Sequence, residues 1–275
     1  MDLNTIDAVV RPRTRGEMPG WRPGDAWLAG GTWLFSEPQP TLRRIVDLTT
    51  LDWPSHAIGS NGLSLAASCT VARLDRLELP AEWIAAPLIG QCCRALLGSF
   101  KVWNAATVGG NVCMALPAGS ITALATALEG TGTVWTPGGG ERVLPVADLV
   151  LGPRETALRA GEVLRGLHFP AAALKRRSAF RRVSLSPNGR SGALLIGTLD
   201  AGGRFALTVT ASTRRPVRLD LPRPPDAGGL RGAIAGAIGP DLWYDDVHGA
   251  PDWREHVTFL LAEEIRAELR GGAGG

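Results

Sequence analysis

Apolar and polar positions alternate over short stretches along most of this chain, and longer amphipathic stretches with helical spacing interrupt them. Trp27-Leu28-Ala29 reads as an apolar strand that stops at Gly30-Gly31-Thr32, and Arg44-Ile45-Val46-Asp47-Leu48 as a second. The alternation Leu63-Ser64-Leu65-Ala66-Ala67 predicts another strand. Pro87 suits the first turn of a helix that buries Leu88, Ile89, Cys92, Ala95 and Leu96, with Gly98 ending it. A second helix is expected from Ile121 to Glu129, with Gly130 as its cap, and strands at 133–135, 142–144 and 163–169. Pro170 marks a boundary. Beyond it, strands are expected at 178–185, 192–199 and 204–211, with a hairpin at Asp200-Ala201-Gly202-Gly203. An amphipathic helix then runs from about Asp252 to Arg270, and the tail Gly271–Gly275 is too glycine-rich to order on its own. The expected class is α+β, divided into 1–54, 55–170 and a C-terminal α+β lobe at 171–275 with an antiparallel sheet.

Two glycine pairs stand out of this pattern. Ala29-Gly30-Gly31-Thr32 and Ala106-Thr107-Val108-Gly109-Gly110-Asn111 each look like a strand that stops at Gly-Gly. Such an end turns tightly and lets backbone N–H groups approach a phosphate with no Cβ in the way. Thr32, Thr107 and Asn111 add hydroxyl and amide partners for phosphate or sugar oxygens. Two such signals suggest one anionic ligand held from two sides.

Composition narrows the field. With 45% hydrophobic and 20% charged residues, the 275-residue chain has the make-up of a globular protein rather than a disordered one. A net charge of +3 without a dense basic run argues against nucleic-acid binding. No apolar run approaches the ~20 residues of a membrane span, and Met1 to Arg15 lack the apolar core of a signal peptide. A cytoplasmic protein is expected. Cys69, Cys92, Cys93 and Cys113 form no Cys-x-x-Cys pair, and the four histidines show no ligand spacing, so no metal is expected. Asp245, Asp246 and Asp252 read as helix-entry and surface residues. No Ser-His-Asp or paired-carboxylate constellation offers hydrolytic chemistry.

Both glycine segments, in this order, resemble the signatures of the FAD-binding medium subunit of the molybdenum hydroxylases, the xanthine dehydrogenase and carbon monoxide dehydrogenase family. Ala29-Gly30-Gly31-Thr32-Trp33-Leu34 is similar to A-G-G-T-D-L. Val102-Trp103-Asn104-Ala105-Ala106-Thr107-Val108-Gly109-Gly110-Asn111, continuing through Ala115 to Ser120, is similar to I-R-N-x-A-T-I-G-G-N-x-x-x-A-S-P-x-x-D. Val46-Asp47-Leu48, Thr156-Ala157-Leu158, Glu162-Val163-Leu164 and Arg215-Pro216-Val217-Arg218 resemble flanking family segments. The resemblance implies a two-subdomain FAD-binding fold of the PCMH type. FAD would lie between Ala29, Gly30, Gly31, Thr32, Trp33 and Leu34 on one side and Thr107, Gly109, Gly110 and Asn111 on the other. It further implies Leu97 and Leu164 against the cofactor, Ser120 in the place of an aspartate near it, and Arg181 where relatives often place a lysine near the flavin. The implied role is electron relay in a complex with a large molybdopterin-binding subunit and a small [2Fe–2S] subunit. A free-standing FAD-dependent oxidoreductase on the same scaffold, or a scaffold that has lost FAD, are the alternatives.

Departures fall within the motifs. Trp33 stands for an acidic or small polar residue and Trp103 for an arginine, each exchanging charge for a stacking surface with one N–H donor. Both either pack on the cofactor or its entrance, or cover an interface or fill core space. Ser120 replaces an aspartate at the start of a helix, where an N-cap role is expected. Thr107 and Asn111 contact the cofactor or satisfy loop backbone, and Arg181 is either the flavin-side cation or a solvated edge residue. Cys113 reads as a buried structural thiol.

Overall fold

The computed structural model describes residues 3–271; the glycine tail from 272 onward lies outside the described residues, and Gly271 closes the last helix. Three sheets follow one another along the chain. β1 (Ala8–Val10), β2 (Asp25–Leu28) and β3 (Arg44–Asp47) make a parallel sheet ordered β1-β3-β2. A five-stranded antiparallel sheet collects β4 (His56–Gly59), β5 (Gly62–Ala66), β6 (Thr131–Trp135) and β7 (Glu141–Pro145). After the small hairpin of β8 (Val150–Gly152) and β9 (Glu155–Thr156), β10 (Val163–Pro170) enters its centre, giving β4-β5-β10-β6-β7. The third sheet is a meander of β11 (Arg177–Val183), β12 (Ala193–Leu199), β13 (Phe205–Thr210) and β14 (Val217–Leu221).

Between β5 and β6 the chain forms α1 (Val71–Asp75), α2 (Ala86–Ala95), α3 (Phe100–Ala105), α4 (Val108–Cys113) and α5 (Ser120–Ala127). Every residue of α5 is buried. Its seat explains this: it packs against α2 on one side and against β12 and β13 on the other. Single turns α6 (Val146–Leu149) and α7 (Ala171–Leu174) join strands, and α8 (Ala227–Ala237) and α9 (Pro251–Gly271) close the C-terminal lobe. Alternation along β12 divides its side chains between two cores. Leu194 and Ile196 join the core around α5, while Leu195 and Leu199 join Ile234, Leu261 and Ile265 beneath α8 and α9.

Ion pairs fasten strands and layers. Arg44 grips Asp25 through Nε and Nη2 at 2.8 and 2.6 Å, holding that carboxyl below its ordinary range. Arg142 grips Glu162 likewise at 2.9 and 2.6 Å, and the Glu162 carbonyl accepts from Trp27 Nε1 at 3.0 Å, tying the first sheet to the second. Arg218 reaches from β14 to the end of α5, donating to the carbonyls of Thr126 and Ala127 at 2.9 and 3.0 Å and to Glu129 at 2.7 Å. That is a C-terminal cap supplied by another lobe.

Several expectations need correction. The strand before the second glycine pair is absent: α4 begins there because Thr107 caps it, its Oγ1 accepting from Gly110 N at 3.0 Å. The α5 helix ends at Ala127 with Glu129, not Gly130, in the left-handed conformation. The α2 helix stops at Ala95, before Gly98. Asp246 is more than a surface acid, since it pairs with Arg254, which is 1% exposed and also donates to the carbonyls of Gly192 and Gly249. The pattern along the chain gives no signal for β1, β4, β14, α1, α3 and α8, most of which are short or lack a clear periodic face.

Candidate functional site

β2 delivers the chain into the first glycine loop. Phe35 N donates to Gly31 O at 2.9 Å and Ser36 N to Trp33 O at 2.8 Å, so the segment curls into a turn with Gly31 at φ +69°. The N–H groups of Gly30, Gly31, Thr32, Trp33 and Leu34 donate to no acceptor among the described residues. Residues 29–34 all retain exposed surface. A run of N–H dipoles unpaired within the protein, on residues that keep some free surface, fits phosphate oxygens, because each would otherwise have to be satisfied by solvent.

The second motif is built differently. Val108 N donates to Cys69 O and Gly109 N to Ala67 O, both at 2.9 Å, Gly110 N is taken by Thr107, and Asn111 N by Thr107 O. Its backbone donors are therefore used within the protein, contrary to the expectation that they would point at an anion. Asn111 Oδ1 accepts from Ile121 N at 3.0 Å, so the side chain caps α5 and leaves only its NH₂ group uncommitted. Gly119 occupies the N-cap of α5, which corrects the assignment to Ser120. Ser120 is the first helical residue, and its hydroxyl, with those of Thr122 and Thr126, is buried without a partner among the described residues.

Glycines bring the motifs together. A Cβ on Gly30 would lie 1.7 Å from the Ala105 carbonyl oxygen, and one on Gly109 would lie 2.4 Å from Ala67 Cβ. Close packing of chain on chain, rather than access for a phosphate, requires glycine at these two positions. Gly31 is needed for its positive φ, whereas Gly110 has none and a Cβ there would meet only Thr107 Oγ1 at 3.0 Å.

The two tryptophans take different places. Trp103 donates through Nε1 to Leu96 O at 3.0 Å and packs on the main core, the space-filling alternative. Trp33 is half-buried, with the Arg154 guanidinium 5.5 Å from its ring centroid. Arg154 N donates to Ala115 O at 2.9 Å, and both residues are left-handed, at φ +63° and +49°. The β8–β9 turn thus bridges the first loop and the exit of the second.

A residue that touches a ligand must have free surface when the ligand is absent. Ala29–Leu34, Leu97, Gly110 and Asn111 meet that condition. Thr107, Gly109, Ser120 and Leu164 are buried already; Leu164 belongs to the main core and lies beside Gly132. Cys113 is half-buried rather than fully buried, and desolvation of its thiol pushes it up to about 12. Arg181 departs most from its expected role. Its Nε and Nη2 donate to Glu264 and Glu268 of α9, both at 2.7 Å, so its charge is neutralised within the C-terminal lobe. The neighbouring Arg182, not singled out in the sequence, donates to Ser191, Ser184 and Gly189 O and has no carboxylate partner among the described residues. Burial lowers its pKa. A doublet of arginines gives no signal of which member is neutralised.

His56 and His168 are each bonded to a serine, at 3.0 Å, and no cluster of three or more potential metal ligands occurs among the described residues. The geometry suits holding an anionic cofactor.

Comparison with known proteins agrees with this geometry. The model of the FAD binding domain in molybdopterin dehydrogenase matches residues 17–172, more than half of the chain. No curated protein sequence matches. Among solved structures, a chain of quinoline 2-oxidoreductase from Pseudomonas putida 86 superposes with a TM-score of 0.78 at 19% identity, covering 99% of both chains. A chain of reconstituted CO dehydrogenase from Oligotropha carboxidovorans gives 0.79 at 20% identity, covering 97% of this chain and 99% of the other. One from the CO dehydrogenase of Hydrogenophaga pseudoflava gives 0.72 at 18%, covering 94% and 96%. At such identities these matches establish the fold, and the family follows from the domain match: this chain belongs to the FAD-binding domain family of the molybdopterin dehydrogenases.

Proposed function

We propose that this chain holds FAD as the electron-transfer subunit of a multi-subunit molybdenum hydroxylase. The partners are a large molybdopterin-binding chain, which oxidises the substrate, and a small [2Fe–2S] chain, which brings the electrons. The run of unpaired N–H groups from Gly30 to Leu34, pressed against the second motif through Gly30, is the observation that carries this reading. These donors fit a diphosphate. Bound FAD would supply a centre that collects two electrons and passes them to an acceptor.

Each element of the chain has a part in this reading. The first loop binds the diphosphate, Asn111 offers its amide NH₂, and Leu97 offers apolar surface. Thr107, Gly109 and Ser120 hold α4 and α5 in place behind the loop, and Leu164 stiffens the sheet beneath. Four free thiols, three of them buried, support a reducing, cytoplasmic setting.

The test is the visible absorption spectrum of the purified full chain, followed by identification of the flavin released on denaturation. About one FAD per chain is the expected result, with large and iron–sulfur chains recovered on co-expression from neighbouring genes. A colourless chain that also refuses added FAD would overturn the reading. An FAD-loaded chain that oxidises a substrate unaided would replace it with the free-standing flavoenzyme.

A further inference from the structure

Neither motif carries a cation. Residues 27–34 and 102–120 contain no lysine or arginine, yet the ligand assigned to them bears a diphosphate with about two negative charges. Neutral N–H dipoles alone would have to compensate it. A cation brought in from elsewhere in the fold would bind it more strongly, because hydrogen bonds between charged groups are about twice as strong as neutral ones.

One arginine is placed for this. Arg154 sits on the turn between β8 and β9, with its guanidinium over Trp33, whose own N–H belongs to the unpaired run. Its backbone is fixed in two ways: a left-handed φ of +63°, unfavourable for a residue with a Cβ, and the 2.9 Å bond from its N–H to Ala115 O. Ala115 is itself left-handed and follows α4, so the turn is anchored to the second motif while its side chain lies over the first. Arg154 is exposed and has no carboxylate within ion-pair distance among the described residues. The other arginines stacked on tryptophan differ: Arg15 also pairs with Glu141, and Arg165 lies over Trp53 and Trp135.

We propose that Arg154 is the cation that binds the FAD diphosphate, and that Trp33 is its positioning residue. Resting on the FAD reading above, this gives the departure at position 33 a purpose. An aspartate there would capture the guanidinium in an ion pair, whereas the indole face holds it by a cation–π contact and leaves its N–H donors free for phosphate oxygens.

The test titrates the full-length chain, wild type, Arg154→Gln and Arg154→Lys, with FAD and with riboflavin, which has no phosphate. Arg154→Gln should weaken FAD binding by about tenfold or more and leave riboflavin within about twofold, and Arg154→Lys should recover most of the loss. Phosphorus NMR at saturating FAD gives a second readout: the diphosphate resonances should move in Arg154→Gln while the visible flavin band stays in place. Unchanged FAD affinity with unmoved resonances would overturn the proposal. So would equal weakening of FAD and riboflavin, the mark of a turn that has merely lost its shape. A wild-type chain that binds neither flavin would defeat the FAD reading itself, an outcome distinct from these and fatal to both.

Discussion

Gly30→Ala adds a single methyl group at the point where the two motifs touch. That Cβ would sit 1.7 Å from the Ala105 carbonyl oxygen and 2.5 Å from its carbon, both backbone atoms with no rotamer to escape into. To restore ordinary contact at 3.4 Å the loops must part by about 1.7 Å, a distance set by the same geometry. Forced expansion of a packed contact costs roughly 1–3 kcal/mol, and at ~2 kcal/mol Tm should fall by about 4–8 °C for a chain of this size. The displacement also carries the donors of Gly30 to Leu34 away from α4, so FAD retention should fall with Tm. Gly110→Ala is the matched control. Its Cβ would meet only the Thr107 hydroxyl at 3.0 Å, and alanine gains up to ~1 kcal/mol over glycine within a helix, so Tm should hold within about 2 °C. Thermal unfolding followed by circular dichroism, with flavin content measured on the same samples, reads both variants. A Gly30→Ala chain with wild-type Tm and full flavin would refute the contact. Equal losses in both variants would refute the distinction between the two glycines.

Three further outcomes follow from the structure. Arg218→Ala should strip the cap from α5 and leave the Thr126 and Ala127 carbonyls buried without it, costing about 1–3 kcal/mol in urea unfolding and speeding amide exchange in α5 above all. Trp33→Phe should keep the stacking of Arg154 and the affinity for FAD, whereas Trp33→Asp should pair with the guanidinium and weaken FAD; equal affinities would return Trp33 to a surface role. Asp25 and Glu162 are held below their ordinary values of 3.8 and 4.5 chiefly by hydrogen bonds from Arg44 and Arg142. Their contribution is present above those ordinary values and is lost as pH falls through the lower folded ones. Urea midpoints between pH 6 and 3, a range of about three units around those values, should fall less steeply for Glu162→Gln than for wild type, and parallel curves would contradict the linkage.

Periodicity and glycine placement determined much of this protein in advance. Alternating apolar residues are a local property, so β5, β10, β12 and β13, and helices α2, α5 and α9, stand close to where the pattern puts them. The paired glycine motifs likewise marked the segments that the fold brings into contact. What the pattern could not give is which atom each motif residue serves. Thr107 and Asn111 read as cofactor contacts, with satisfying loop backbone as the alternative, and only the arrival of α5 beside α4 decides that Asn111 Oδ1 meets Ile121 N. Arg181 and Arg182 are equivalent along the chain, but α9 brings Glu264 and Glu268 to the first alone. Arg154 gave no sign at all, because its place depends on a turn closing across the chain onto Ala115 and Trp33. Secondary structure is written in spacings of two to four residues, whereas these side-chain partners are set by residues ten or more positions apart that meet only when the sheets and helices pack.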